Sequence, residues 1–189
     1  HFYSVRDWDR NPVEYARLTK IQKAARIIYL NKTCYNGLFR VNNAGEFNTP
    51  FGHYKNPNIV NAPTLKAVSL YFNTADISFT TGDYSRALEN VKKGAFVYLD
   101  PPYDPVSSTA NFTGYTKSGF GKEEQIRLRE VCDELNCKGI KFMLSNSATD
   151  FIKEQYKNYN MIVVRAKRTI NSNAEKRGQV DEVVIRNYE

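Results

Sequence analysis

Ala95-Phe96-Val97-Tyr98-Leu99 runs without interruption into Asp100-Pro101-Pro102-Tyr103, and that junction decides the fold. A continuous apolar run of this length predicts a strand buried on both faces, the kind found inside α/β sheets. The turn after it stands at the strand's carboxyl end, the edge where open α/β sheets place their ligands. Asp and Pro are also ordinary turn residues, so the tetrapeptide alone is equally a tight turn.

Working outward, Ile77 and Phe79 alternate with polar neighbours and predict a strand ahead of this one; Ile140 to Leu144 and Met161 to Val164 repeat the apolar character after it. Residues 122–135 predict a helix, with Glu123 and Glu124 in its first turn and Leu128, Val131, Cys132 and Leu135 on one side. Strands separated by helices predict a mostly parallel sheet. Val183 to Tyr188, reached through a polar segment containing Gly178, predicts an antiparallel closing strand. Toward the amino terminus, Asn11-Pro12-Val13-Glu14 has the pattern of a helix entry with a capping box. Leu18, Ile21, Ala25 and Ile28 then predict one packed face, with Arg17, Lys20 and Lys23 left wet. From Asn31 to Pro63, Gly37, Gly45, Pro50, Gly52 and Pro57 break any long element. The expected division is a loop-rich lobe over 1–62 and an α/β part over 63–189.

A chain of 189 residues with 41% hydrophobic and 13% aromatic content is too apolar for disorder, and no run approaches a transmembrane helix. The opening HFYSVRDWDR lacks the charged, apolar and small-residue succession of a signal peptide. Twenty-seven Lys plus Arg against twenty Asp plus Glu give +7, for which nucleic acid is the simplest polyanionic partner; an unspecialised basic surface gives the same number. Cys34, Cys132 and Cys137 form no CxxC pair, and His1 and His53 are the only histidines, so neither a structural metal nor a disulfide scaffold is expected. Reduced thiols suit a cytoplasmic protein.

The Asp100-Pro101-Pro102-Tyr103 turn suits one particular problem. An exocyclic amine on a heteroaromatic ring delocalises its lone pair and is a poor nucleophile. The Asp100 carboxylate and the Pro101 carbonyl, both pure acceptors, can take the two amine hydrogens and localise that lone pair. Prolines at 101 and 102 fix φ and preorganise the acceptors, while Tyr103 offers a face for an extruded planar base. The implied chemistry is methyl transfer to an amine.

DPPY is the signature of amino-methyltransferases, and five colinear blocks resemble the Dam family of DNA adenine methyltransferases: TCYNGLFRVN at 33–42, GEFNTPFGHYKNP at 45–57, YLDPPYDPVSSTANFTGYT at 98–116, LSNS at 144–147 and RTINSNAEKRGQVDEVVIRNY at 168–188. The resemblance covers nearly the whole chain. It implies a Rossmann-like class I methyltransferase sheet with a small target-recognition lobe, S-adenosylmethionine as methyl donor, double-stranded DNA as substrate, and adenine N6 within a short site, GATC, as acceptor. It requires no metal.

By the same resemblance Tyr35, Asn36, Leu38, Arg40, Asn42, Pro50, Tyr54 and Lys55 occupy DNA-contact positions. Arg40 can form a bidentate contact to guanine, Leu38 and Pro50 can touch a thymine methyl, and Tyr35 can wedge between bases. Leu38 could equally be core, Tyr35 could pack the lobe, and Arg40 and Lys55 could be plain phosphate contacts. His53 stands where relatives often carry a basic residue. Ser107, Ser108, Asn111, Thr113 and Tyr115 follow the turn and, in the family, lie against DNA near the flipped base; otherwise they form a polar loop. Arg165, Lys167, Arg168, Lys176 and Arg177, with Asn171, Ser172 and Asn173 between them, form a phosphate-tracking loop or a solvated hairpin. Asp83 and Tyr84 resemble the position where a carboxylate accepts the cofactor's adenine amine beside an aromatic wall, although Gly82-Asp83 is also a common turn.

Family members begin with an FxGxG-like glycine loop after the first strand and an acidic ribose ligand after the second. Neither pattern occurs in this sequence, and Asn43-Ala44-Gly45-Glu46 has no strand-to-helix setting. The resemblance therefore implies a carboxy-terminal part whose partner is an amino-terminal segment, with sheet edges that are apolar unless covered. The competing functions are a catalytically inactive DNA-binding fragment and an RNA or cytosine-N4 amino-methyltransferase; Asp rather than Ser at 100, and YNGLFRVN, argue against the latter.

Overall fold

The structure, a computed structural model, describes residues 1–106, 120–167 and 179–189. It separates into two compact units, His1–Phe79 and Thr80–Glu189. The functional boundary expected at 62/63 falls inside the first unit, just after the start of a helix, and remains a proposal about roles.

In the first unit, α1 (Phe2–Arg6) leads through a 3₁₀ turn, Asp7–Arg10, into α2 (Pro12–Arg17) and α3 (Lys20–Thr33). Asn11 caps α2 as expected, accepting from the Glu14 amide, but the helix does not continue past Arg17. Thr19 and Gln22 form a complete capping box, which starts a new helix in a new direction. The packed face differs accordingly: Ile21 is 81% exposed, and Arg26, Leu30 and Thr33 are the buried residues of α3. A small core gathers Phe2, Val5, Leu30, Cys34 and Phe47, with Tyr29 and Phe51 against it. Two isolated bridges, Cys34 to Phe51 and Val41 to Phe47, fold the loop-rich region back on itself.

No strand forms at Ile77 and Phe79; Phe79 is 72% exposed. A strand requires a ladder partner, and among the described residues none pairs there. What precedes it is α4 (Ala62–Thr74), entered through Asn61 and Pro63 by the same device as α2 and buried at no position. Leu65, Val68, Leu70, Tyr71 and Phe72 are exposed along it.

The second unit holds α5 (Tyr84–Leu88), β1 (Phe96–Leu99), α6 (Lys122–Cys137), β2 (Lys141–Ser147), α7 (Asp150–Gln155), β3 (Asn160–Lys167) and β4 (Gln179–Arg186). The sheet order is β1-β2-β4-β3, with β1 parallel to β2 and β4 antiparallel to both its neighbours. The expected antiparallel closing strand is therefore real, but it closes by insertion. Because β4 slips between β2 and β3, which share a direction, only one of the three pairings is parallel, where a mostly parallel sheet was expected.

Val97, Leu128, Cys132, Leu135, Ile140, Phe142, Leu144, Ile152, Tyr156, Val183 and Ile185 form the core between the sheet and its helices. Each full burial of such a side chain contributes roughly 1.5–3 kcal/mol. β1 is not buried on both faces: Val97 is 8% exposed, but Phe96 and Tyr98 are 55% and 56% exposed. Among the described residues β1 is an edge strand paired with β2, and the face that carries Phe96 and Tyr98 has no helix packed over it.

Candidate active site

Asp100 leaves the sheet at the carboxyl end of β1, where the turn was expected. Ser145, on the neighbouring β2, donates its hydroxyl to Asp100 Oδ1 at 3.0 Å. Its single proton is thereby committed, so Tyr98, 3.2 Å away, is the donor in the Tyr98 Oη to Ser145 Oγ contact. A relay of hydroxyls thus fixes one carboxylate oxygen and leaves Oδ2 with acceptor capacity. Tyr103 also lies within hydrogen-bonding reach of Ser145, and burial raises its phenol pKa above the ordinary value.

Behind the turn runs a buried polar chain. Gln125 of α6, fully buried, donates to the Pro102 carbonyl at 2.8 Å. Its Oε1 accepts from Asn146 Nδ2 at 3.0 Å, and Asn146 Oδ1 accepts from the Asp104 amide at 2.9 Å. Thr149 donates to Asp104 Oδ2 at 2.7 Å. Both ends of the Pro102-to-Asp104 segment are therefore tied to α6 and β2. Replacing Gln125 with Met keeps the volume but orphans the Pro102 carbonyl and the Asn146 amide; a stability loss of about 1–3 kcal/mol is expected from the urea midpoint. An unchanged midpoint would remove the network from the account.

Asp83 caps α5 through the Ser85 amide and forms a two-pronged pair with Arg127 of α6, at 2.7 and 2.9 Å. Hydrogen bonds from Arg127 and then Ser85 hold its carboxyl far below the ordinary carboxylate range. Oδ1 accepts from Arg127, the Ser85 amide and the Ser85 hydroxyl, whereas Oδ2, among the described residues, accepts from Arg127 and keeps a lone pair for a further donor. The Arg127 guanidinium lies 5.0 Å from the Tyr84 ring centroid, and burial raises the Tyr84 phenol pKa. α6 thus serves both loops, Gln125 the Pro102 turn and Arg127 the Asp83 corner. Sequence reasoning missed both residues; Gln125, three before Leu128 on the apolar stripe, carried the readable signal of a polar residue at a buried position.

In the first unit the 33–42 and 45–57 blocks meet. Tyr35 donates its amide to the Pro50 carbonyl at 2.8 Å, and Thr49 Oγ1 donates to the Leu38 carbonyl at 2.7 Å. Tyr35, Asn36, Arg40, Pro50, Tyr54 and Lys55 are exposed; Leu38 is half-buried and outside the core cluster. Asn36 adopts φ 55°, which asparagine tolerates better than most residues, and Gly37 follows at φ 63°. Asn42 holds its own turn: its Oδ1 accepts from the Ala44 and Glu46 amides, and its Nδ2 donates one hydrogen to Glu46. Ser107, Asn111, Thr113, Arg168, Asn171, Ser172, Asn173, Lys176 and Arg177 lie outside the described residues. Among the described residues no group of three His, Cys, Asp or Glu is placed to hold a metal, and no helix is long and apolar enough to cross a membrane.

An open α/β sheet with an Asp-Pro-Pro-Tyr turn at the carboxyl end of one strand has the form of a class I methyltransferase. The chain belongs to the D12 class N6 adenine-specific DNA methyltransferase family, which matches residues 1–170. It is 39% identical over 188 residues to Type II methyltransferase M1.LlaDCHI of Lactococcus lactis subsp. cremoris, covering 100% of this chain and 66% of that protein. It is 43% identical over 190 residues to Type II methyltransferase M.MjaIII of Methanocaldococcus jannaschii, covering 99% and 64%. The DNA adenine methylase of Escherichia coli K12 is 36% identical over 163 residues, 86% of this chain and 58% of that protein. The chain spans less than two thirds of the length of each.

Proposed function

We propose that this chain carries the base-orienting and DNA-reading parts of a methyltransferase that modifies adenine N6 in duplex DNA, within GATC, in the cytoplasm. S-adenosylmethionine, when bound, supplies an electrophilic methyl group. Asp83 Oδ2 and the Tyr84 ring are the residues that would hold its adenine, with Asp100 toward the reacting centre. Asp100 Oδ2 and the Pro101 carbonyl accept the two hydrogens of the flipped adenine's amine, and the localised lone pair points away from the turn. Tyr103 stacks on the base. Tyr35, Asn36, Leu38, Arg40, Asn42, Pro50, Tyr54 and Lys55 face the duplex, Asn42 with the second hydrogen of its Nδ2. Ser107, Asn111, Thr113 and the basic stretch from Arg168 to Arg177 supply phosphate contacts.

The observation that carries this reading is the Asp100 carboxylate held by Ser145 at the end of β1, with one oxygen fixed and the other accepting from no group among the described residues. The test is label transfer from tritiated S-adenosylmethionine to defined duplexes by this chain combined with an amino-terminal segment that carries the glycine loop, the chain alone being expected to transfer none. N6-methyladenine is expected in a GATC duplex, with none when both adenines are already methylated. Label on cytosine, or equal label in a scrambled duplex, would overturn the assignment.

A further inference from the structure

We propose that Asn48 is a specificity-determining positioning residue that aims the Arg40 guanidinium at the base edge it reads; the proposal rests on the reading of Arg40 as a base contact given above. Arg40 donates from Nε to Asn48 Oδ1 at 2.7 Å and from Nη2 to the Asn48 carbonyl at 3.3 Å. The Asn48 amide donates in return to the Arg40 carbonyl at 3.0 Å. A guanidinium carries five donors in a rigid plane, so these two bonds fix that plane and leave both Nη1 hydrogens and one on Nη2 available. That remaining edge is the fork that suits the paired O6 and N7 acceptors of guanine.

Asn48 can act as a grip because its neighbours are anchored. Phe47 and Thr49 are each 1% exposed. The Phe47 amide donates to Asp9 Oδ2 at 2.9 Å, and Arg10 Nη2 donates to the Phe47 carbonyl at 2.7 Å, so the peptide groups on both sides of Phe47 are held by the Asp7–Arg10 turn. Thr49 is tied to Leu38. The backbone on either side of Asn48 is therefore fixed, and its half-buried carboxamide holds a flexible, exposed arginine in one orientation. An unheld arginine still supplies charge and contacts phosphate, but it no longer prefers one base edge.

The experiment measures binding of the full chain to a GATC duplex, to duplexes with each base pair replaced in turn, and to a random duplex. Asn48→Ala is expected to lose roughly tenfold of discrimination at one base pair, the same one that Arg40→Ala affects. Its affinity for the random duplex should stay within about twofold, which also reports an intact lobe, and Arg40→Ala with Asn48→Ala should lose no more than Arg40→Ala alone. Asn48→Asp, which keeps the Nε acceptor, should retain discrimination. If Arg40→Ala abolishes discrimination while Asn48→Ala preserves it, or if Asn48→Asp loses as much as Asn48→Ala, the positioning role is wrong and the reading of Arg40 stands. A wild-type chain without discrimination, or an Arg40→Ala chain that keeps it, overturns both.

Discussion

With the amino-terminal segment present, Asp100→Ala is expected to lower methyl transfer by at least about 10²–10³-fold, the scale on which removing one preorganised charge-stabilising partner acts, while duplex affinity stays within a few fold. The asymmetry follows from position. On the function proposed above, Asp100 contacts the amine that gains a bond in the transition state, whereas the charge that would hold DNA is spread over the arginines and lysines of the chain. Ser145 already occupies Oδ1, so the carboxylate is a fixed acceptor whose loss cannot be made good by rotation of a neighbour. Asp100→Asn, which presents either an acceptor or a donor at the same place, should fall between the two. Single-turnover rates and equilibrium binding on the same duplex separate these effects. A variant retaining a tenth of the wild-type rate would remove Asp100 from the chemistry.

How far the sequence carried depended on whether a signal was local. The junction at Leu99 and Asp100, α6, and the apolar run of β2 are local patterns and fold as expected. β1 shows where pattern ends: five apolar residues indicate that faces want cover, but only the sheet order shows that β1 has one strand neighbour and half-exposed Phe96 and Tyr98. The helix break at Leu18 was written in Thr19 and Gln22, a cap signal that competed with the longer apolar period and won. α4 was announced by Asn61 and Pro63, and its exposed Leu70 and Tyr71 show that such a start signal acts even where no core forms on the helix. The pairs that tune the site, Gln125 with Asn146 and Arg127 with Asp83, join residues 21 and 44 positions apart. No period or spacing encodes such contacts. Asn42 is similar, since its side chain also holds its own turn through the Ala44 and Glu46 amides, contacts that a block match does not announce.

Asp9→Ala is expected to destabilise the amino-terminal unit by about 3 kcal/mol, because it strands a buried cation. The Arg26 side chain is 2% exposed and lies 2.7 Å from Asp9 Oδ2; it also donates to the Val5 and Arg6 carbonyls. Removing Asp9 leaves that charge without its counter-ion and the Phe47 amide without its acceptor. Arg26→Met in the same background removes the buried charge and fills its volume, so the double variant should recover part of the loss. Recovery should be incomplete, since the orphaned Phe47 amide still costs about 1–3 kcal/mol. Trp8, the chain's single tryptophan, sits one residue from Asp9 and reports this unit's transition in urea by fluorescence. If Asp9→Ala shifts that transition by less than about 1 kcal/mol, the range of an exposed ion pair, Asp9 is not holding a buried charge. A double variant no more stable than Asp9→Ala would place the loss in the orphaned backbone groups instead, the Phe47 amide and the Val5 and Arg6 carbonyls.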